Sequence, residues 1–195
     1  MSEIPKTYSP PSGDACARAN GVSLPGGRVD LRRISAEDRC RFTELAAASS
    51  ELHRPWISLP ITPDGFDRYL ARFDQDTAVG FVVCLRGNPT DLVGFVTIKR
   101  IEYAPYWKGV LGYGAFVPWH GRGYMTEGVA LAVRYGFERL GLHRLEADIE
   151  PENMVAQNLA ENVGLRREGF SPGLIRIGGV WRDFERWAII AESMN

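Results

Sequence analysis

The segment Trp119-His120-Gly121-Arg122-Gly123-Tyr124-Met125-Thr126-Glu127 concentrates groups that can hold an anion. Two glycines punctuate a short loop that feeds a helix-like stretch, and Arg122 adds a full positive charge. The N–H groups of a helix's first turn have no partners within the helix. The helix dipole adds partial positive charge at the same end. The segment therefore reads as a phosphate or pyrophosphate cradle.

Nucleotide sites built on similar loops need more than this loop offers. A P-loop requires Lys followed by Ser or Thr after its second glycine, and no such pair exists here. A dinucleotide fingerprint requires a third glycine three residues after Gly123, where Thr126 stands. A ligand whose diphosphate sits on Gly121–Gly123 while its tail runs along the preceding strand remains, and coenzyme A has that shape.

The elements that must position this loop are legible as an alternation of strands and helices. Val29 to Ile34, Ala78 to Arg86, Leu92 to Glu102, Lys108 to Val117, Arg144 to Ile149, Phe170 to Ile177 and Trp181 to Ala191 are apolar, β-rich runs, predicting seven strands. Gly87-Asn88-Pro89-Thr90 and Gly178-Gly179 are hairpin signals. Ser35 with Asp38, and Thr62 followed by Pro63, mark helix starts running to about Ser50 and Phe73. Met125, Val129, Val133, Phe137 and Leu140 form one apolar stripe of a helix that Gly141 ends. Met154 to Asn162 is a short helix closed by Gly164. The fold class is α/β (α+β): a mixed, mostly antiparallel seven-stranded sheet flanked by about four helices.

Composition narrows the partners. With 195 residues and 45% hydrophobic content, one domain with its own core is expected, over residues 28–195. Residues 1–27, with Pro5, Pro10, Pro11 and Pro25 among Ser, Gly and Asn, read as a flexible tail. A net charge of −1 gives no reason to expect nucleic acid or an anionic membrane as partner. No apolar run approaches a membrane span and no signal peptide is visible, so a cytoplasmic location is expected. Cys16, Cys40 and Cys84 are widely spaced, which fits neither a disulfide framework nor a zinc site. Three histidines without paired spacing point away from any metal.

Gly112-Tyr113 followed by Trp119 to Glu127 resembles the acyl-CoA loop of the GNAT N-acetyltransferases. More narrowly, it resembles the Rim-type ribosomal-protein alanine N-acetyltransferases. His143-Arg144-Leu145-Glu146-Ala147, then Glu152-Asn153 with Leu159, Glu161, Gly164 and Leu165, then Trp181-Arg182-Asp183 fit the same subgroup, as does Leu52-His53-Arg54-Pro55-Trp56. The resemblance covers about Val29 to Ile190 and implies acetyl-CoA as co-substrate. It implies that Phe116 and Val117 offer backbone groups to the pantetheine arm. His120, Gly121, Arg122, Gly123, Tyr124, Met125 and Thr126 would hold the diphosphate, and Asn153 would contact the arm. The subgroup's Asn-x-x-Ser becomes Asn153-Met154-Val155-Ala156, which removes a hydroxyl able to protonate the leaving thiolate; Leu165 replaces the usual Phe.

Acetyl transfer to an amine needs a neutral nucleophile. An α-amino group, with a pKa near 7.7–8.0, is neutral to the order of 10% at pH 7, whereas a lysine ε-amine is neutral to only about 0.04%. An α-amine therefore asks little of a general base. Glu168, which matches an acidic position of the subgroup, is the expected base, with Asp183 and Glu102 as rivals. Each is equally readable as a surface or turn residue. Tyr113 or water could protonate the thiolate. Trp56 could wall the acceptor pocket or fill the core; Tyr103, Tyr106 and Trp107 could line the cleft or simply pack. His53 and His143 read as structural. Cys40 and Cys84 lie outside the motifs, so direct transfer in a ternary complex is expected. The acceptor is expected to be a protein N-terminal α-amine. A small amine such as an antibiotic, polyamine or amino-acid derivative is the alternative, and a CoA-binding module without catalysis a second one. The final strands could also pair across a homodimer.

Overall fold

The computed structural model describes residues 21–23 and 26–194. Eight strands form one sheet: β1 (Gly21–Ser23), β2 (Val29–Arg33), β3 (Val79–Leu85), β4 (Asn88–Glu102), β5 (Lys108–Ala115), β6 (Arg144–Ile149), β7 (Arg166–Ile177) and β8 (Val180–Ile190). Their spatial order is β1-β2-β3-β4-β5-β6-β8-β7. Seven are the expected strands, and β1 is a three-residue edge strand paired with β2. The expected tail over 1–27 lies mostly outside the described residues, apart from this strand and its neighbours at 26 and 27. β4 starts at Asn88, four residues earlier than the sequence pattern suggested, because Leu85 pairs directly with Asn88 and register shifts at Val83–Leu85 absorb the irregular segment.

All strand pairs are antiparallel except β5 with β6. A parallel pair needs a crossover connection. Here the crossover is α4 (Tyr124–Glu138), which follows the glycine loop. Met125, Val129, Leu131, Ala132 and Val133 are buried against the sheet. The α-helix ends at Glu138 rather than at Leu140: the N–H groups of Leu140 and Leu142 reach back to the carbonyls of Tyr135 and Gly136, and Gly141 takes positive φ. Two helix glycines bring α4 close to the strands. A Cβ on Gly128 would meet the Val83 side chain at 2.6 Å, and one on Gly136 would meet Leu145 at 2.9 Å.

The remaining helices cover both faces. α1 (Arg39–Ala48), α2 (Ser50–His53) and α3 (Pro63–Leu70) enclose one core with Phe42, Phe66, Phe95 and Phe116 at its centre. A 3-10 turn at Ala36–Asp38 precedes α1, and Asp38 accepts the Ser35 N–H at 2.9 Å, the capping interaction expected of that pair. Thr62 caps α3 by accepting the Gly65 N–H at 3.2 Å. On the other face α4 and α5 (Met154–Val163) close the second core with Leu145, Ala147, Ile149 and Trp187. Among the described residues no helix is long and apolar enough to cross a membrane.

Candidate active site

The break in the sheet defines the site. β5 and β6 pair only at Lys108–Arg144, Gly109–Leu145 and Val110–Glu146, although both strands run on to Ala115 and Ile149. Beyond Val110 they diverge into a wedge, leaving one edge of β5 without a strand neighbour. An open edge presents unpaired N–H and C=O groups, which suit an extended, amide-bearing ligand. A cleft of about 610 Å³ opens from this wedge. Leu111, Gly112 and Tyr113 line it from β5, Ala147 to Glu150 from β6, and Asn153 and Ala156 from the start of α5.

The glycine loop lies past the end of β5, at the wide side of the wedge. Gly121 and Gly123 take φ of 73° and 77°, values that side chains make costly, and Gly123 is the N-cap of α4 without a side-chain cap. The first-turn N–H groups of this fifteen-residue helix are thus open to an anion. Arg122 stacks over Trp119, its guanidinium 5.8 Å from the ring centroid. Arg28, for which the sequence pattern held no signal, ties the loop down. It donates from its backbone N–H at 2.8 Å and from Nε at 2.6 Å to Glu127, and from Nη1 at 3.2 Å to the Arg122 carbonyl. Its guanidinium also lies 4.6 Å over the Tyr124 ring.

Several groups expected at the donor site carry hydrogen bonds within the chain. The Phe116 N–H donates to the Val93 carbonyl at 2.7 Å and the Val117 N–H to Ser49 Oγ at 3.1 Å, so neither N–H is free for a pantetheine arm. The Phe116 carbonyl already accepts the Trp119 N–H at 2.8 Å. The Asn153 side chain lines the cleft, but its oxygen caps α5 by accepting the Ala156 N–H at 3.2 Å. Tyr113 donates its hydroxyl to the Ala156 carbonyl at 3.0 Å, bracing β5 against α5 across the wedge. Burial pushes the Tyr113 phenol well above its ordinary pKa.

The three expected carboxylates do not converge on the cleft. Glu168 forms a two-pronged ion pair with Arg144, at the opposite end of β6 from the wedge. That hydrogen bonding holds its carboxyl below the usual range, making it a weaker base. Asp183 accepts the Gly173 N–H at 2.7 Å and braces the β7–β8 hairpin. Glu102 lines a small neighbouring cavity of about 90 Å³. Trp56 does line the main cleft, whereas Tyr103 packs on the core edge, 5.5 Å from the Trp107 ring. His53 is 4% exposed and binds the Ala115 carbonyl through Nε2 at 2.8 Å, as a structural histidine should.

The carboxylates that do reach the cleft are Asp148 and Glu150. Alternation along β6 puts Glu146, Asp148 and Glu150 on the face opposite the α4 core. Asp148 lies two residues beyond Glu146, the last β6 residue paired with β5, and so at the apex of the wedge. Asp148 Oδ2 accepts from Arg100 Nη2 at 2.7 Å. Its Oδ1 lies 3.0 Å from Arg186 Nε yet is a buried oxygen without a hydrogen bond. Glu150 pairs with Arg182 at 3.3 Å. Asp148 Oδ1 faces the Arg186 guanidinium in an ion pair, and Asp148 lines the cleft, where its carboxylate is placed to take a water hydrogen bond or a proton from an amine. The sequence pattern held no signal for it, since Asp148 reads as one charge on a mixed strand. Among the described residues no cluster of His, Cys, Asp and Glu could hold a metal ion.

Comparison with known proteins gives a consistent result. The family model described as Acetyltransferase (GNAT) domain matches residues 28–166. The Bacillus subtilis protein named Probable N-acetyltransferase YjcK is 32% identical over 63% of this chain and 67% of its own. Two Escherichia coli enzymes match 83% of this chain: the ribosomal protein uS5 alanine N-acetyltransferase at 23% identity (87% of its own length) and spermidine N(1)-acetyltransferase at 25% (85% of its own). The fold matches that of Mycobacterium smegmatis RimJ, solved in complex with CoA-disulfide, with TM-score 0.79 and 24% identity over 89% of this chain and 87% of that one.

Proposed function

The chain belongs to the GNAT acetyltransferase family, and from that premise we propose that it moves the acetyl group of acetyl-CoA directly to the α-amine of a peptide N-terminus. Acetyl-CoA enters at the wide side of the wedge. Its diphosphate rests on the open N–H groups of residues 121–126, and its pantetheine arm lies along the free edge of β5. The thioester then reaches the apex, beside Gly112 and Asp148. The chemistry balances simply: the amine nitrogen bonds to the thioester carbon, the C–S bond breaks, the amine proton leaves to Asp148 Oδ1 directly or through water, and the thiolate departs.

The observation that carries this reading is the Asp148 carboxylate lining the cleft at the wedge apex, held in place by Arg100 and Arg186. Both carboxylates of the cleft are already paired with guanidinium groups, which favours an acceptor that sheds its proton easily. An α-amine meets that demand. Tyr113 enters as a brace rather than a proton source. Burial raises the Tyr113 phenol further above ordinary thiol values, so proton transfer from it to the thiolate is uphill; the thiolate leaves unprotonated and Ala156 costs little. The likeness to a spermidine enzyme supports a small polyamine as a second reading.

A CoA-release assay with a panel of Ala-, Ser- and Met-starting peptides, free amino acids and spermidine tests the proposal. Peptide turnover supports it. Turnover of spermidine without any peptide turnover would replace it with the second reading.

A further inference from the structure

Among the described residues, the acceptor side of the cleft holds two cations without counterions. Arg72, just past α3, and Lys99, on β4, both line it. Among the described residues neither side chain takes part in a hydrogen bond or ion pair. The other cations of this face are matched: Arg100 and Arg186 with Asp148, and Arg182 with Glu150. Lys99 lies at the reaction centre. A Cβ built on Gly112 would meet Thr97 Oγ1 at 2.9 Å and Lys99 Nζ at 3.6 Å, so the ammonium hangs over the wedge apex. Loss of water around Lys99, followed by the positive charges of Arg100 and Arg72, lowers its pKa from the ordinary lysine value. Both residues are exposed on the cleft wall, and two positive charges there raise the local concentration of an anionic ligand group. Trp56, Leu59, Ile175, Ile177 and Phe184 supply apolar walls around the pair.

Resting on the assignment of this cleft to the acceptor, we infer that the acceptor carries a carboxylate within a few bonds of its amine, bound by Lys99 and Arg72. The source favoured by an open, peptide-sized cleft is an Asp or Glu side chain in the first three residues of the peptide. A free amino acid's own carboxylate would present the same chemistry. A polyamine brings further positive charge to a site already positive in excess and is disfavoured.

The test compares kcat/KM for Ala-Asp, Ala-Asn and Ala-Lys peptides of otherwise identical sequence, with free alanine and spermidine alongside, in wild type, Lys99→Arg, Lys99→Glu and Arg72→Glu. In wild type the Ala-Asp peptide is expected to exceed its Ala-Asn isostere by about tenfold, the equivalent of about 1.4 kcal/mol. Lys99→Arg keeps that order, and Lys99→Glu and Arg72→Glu reverse it in favour of Ala-Lys. Such a reversal is something a merely misfolded variant cannot produce. Free alanine used as well as Ala-Asp supports the carboxylate and assigns it to a small molecule. Equal rates for Ala-Asp and Ala-Asn in wild type, preference for spermidine, or a preference that survives charge reversal would each overturn the inference. Titration calorimetry of the same peptides into acetyl-CoA-loaded protein separates the two readings: Ala-Asp preference in binding without turnover would sink α-amine transfer and leave the anion site standing.

Discussion

At Asp148 two guanidinium groups meet one carboxylate, and the chemistry proposed for the cleft turns on that carboxylate. Asp148→Asn preserves shape while removing the proton acceptor, so kcat is expected to fall by roughly 100-fold, in the range seen for general bases, with the KM for acetyl-CoA unchanged. Steady-state kinetics alongside circular dichroism would check this; wild-type kcat in a folded Asn variant would remove Asp148 from the mechanism. His53 makes a different prediction. Burial lowers its pKa, and the Ala115 carbonyl offsets only part of that. The fold therefore holds the ring neutral, and its contribution to stability is complete above the unfolded value near 6.5 and is lost as pH falls through the folded pKa. Urea midpoints measured from pH 7 down to 5 should drop more steeply for wild type than for His53→Gln, which retains an N–H donor; parallel slopes would contradict the assignment. Residue types alone do not show which carboxylates share a site. Glu168 had the right neighbours in sequence, yet Arg144 claims it, and pairing across strands cannot be read from a string of charges.

Elements, unlike pairings, were largely legible. Period-two runs, capping residues and glycine stops located the strands and helices, since those signals act within a few residues. The short edge strand β1 and the early start of β4 were not, because three residues and a proline-bearing segment gain strand geometry only from a partner. The loop before α4 was read correctly as a turn feeding a helix, but its anchor, Arg28, is 99 residues from Glu127. Arg28→Ala frees that anchor and should raise the KM for acetyl-CoA several-fold while leaving kcat near its original value. A lowered kcat with unaltered KM would mean that Arg28 does not position the loop. The seat of α4 on the sheet is tested by Gly128→Ala. Helix propensity alone would stabilise that change by about 1 kcal/mol, but the added methyl meets Val83 at 2.6 Å. Overpacking of a rigid β-branched neighbour costs about 1–3 kcal/mol, so a lower Tm is expected; a raised Tm would show that α4 can lift without loss.

Across the described residues, the sheet is continuous from β1 to β5 and again from β6 through β8 to β7, and it opens only between β5 and β6. The crossover helix, the glycine loop and the second core all meet at that opening, and the proposed donor route rests on that topology. The proposed acceptor route rests on what the other face contributes: aromatic and apolar walls, paired carboxylates and, among the described residues, two cations without counterions. The sequence motifs spoke for the donor because that loop is local. They were silent on the acceptor, whose walls come from β4, β6, β7, β8 and the segments around α2 and α3. The central claim is direct transfer to an α-amine, and locating the acetyl group tests it most directly. A peptide bearing both a free N-terminus and an internal lysine would be incubated with the protein and acetyl-CoA near neutral pH, then sequenced by tandem mass spectrometry. The acetyl group is expected on the N-terminal nitrogen alone; its appearance on the lysine side chain with the N-terminus unmodified would contradict the account.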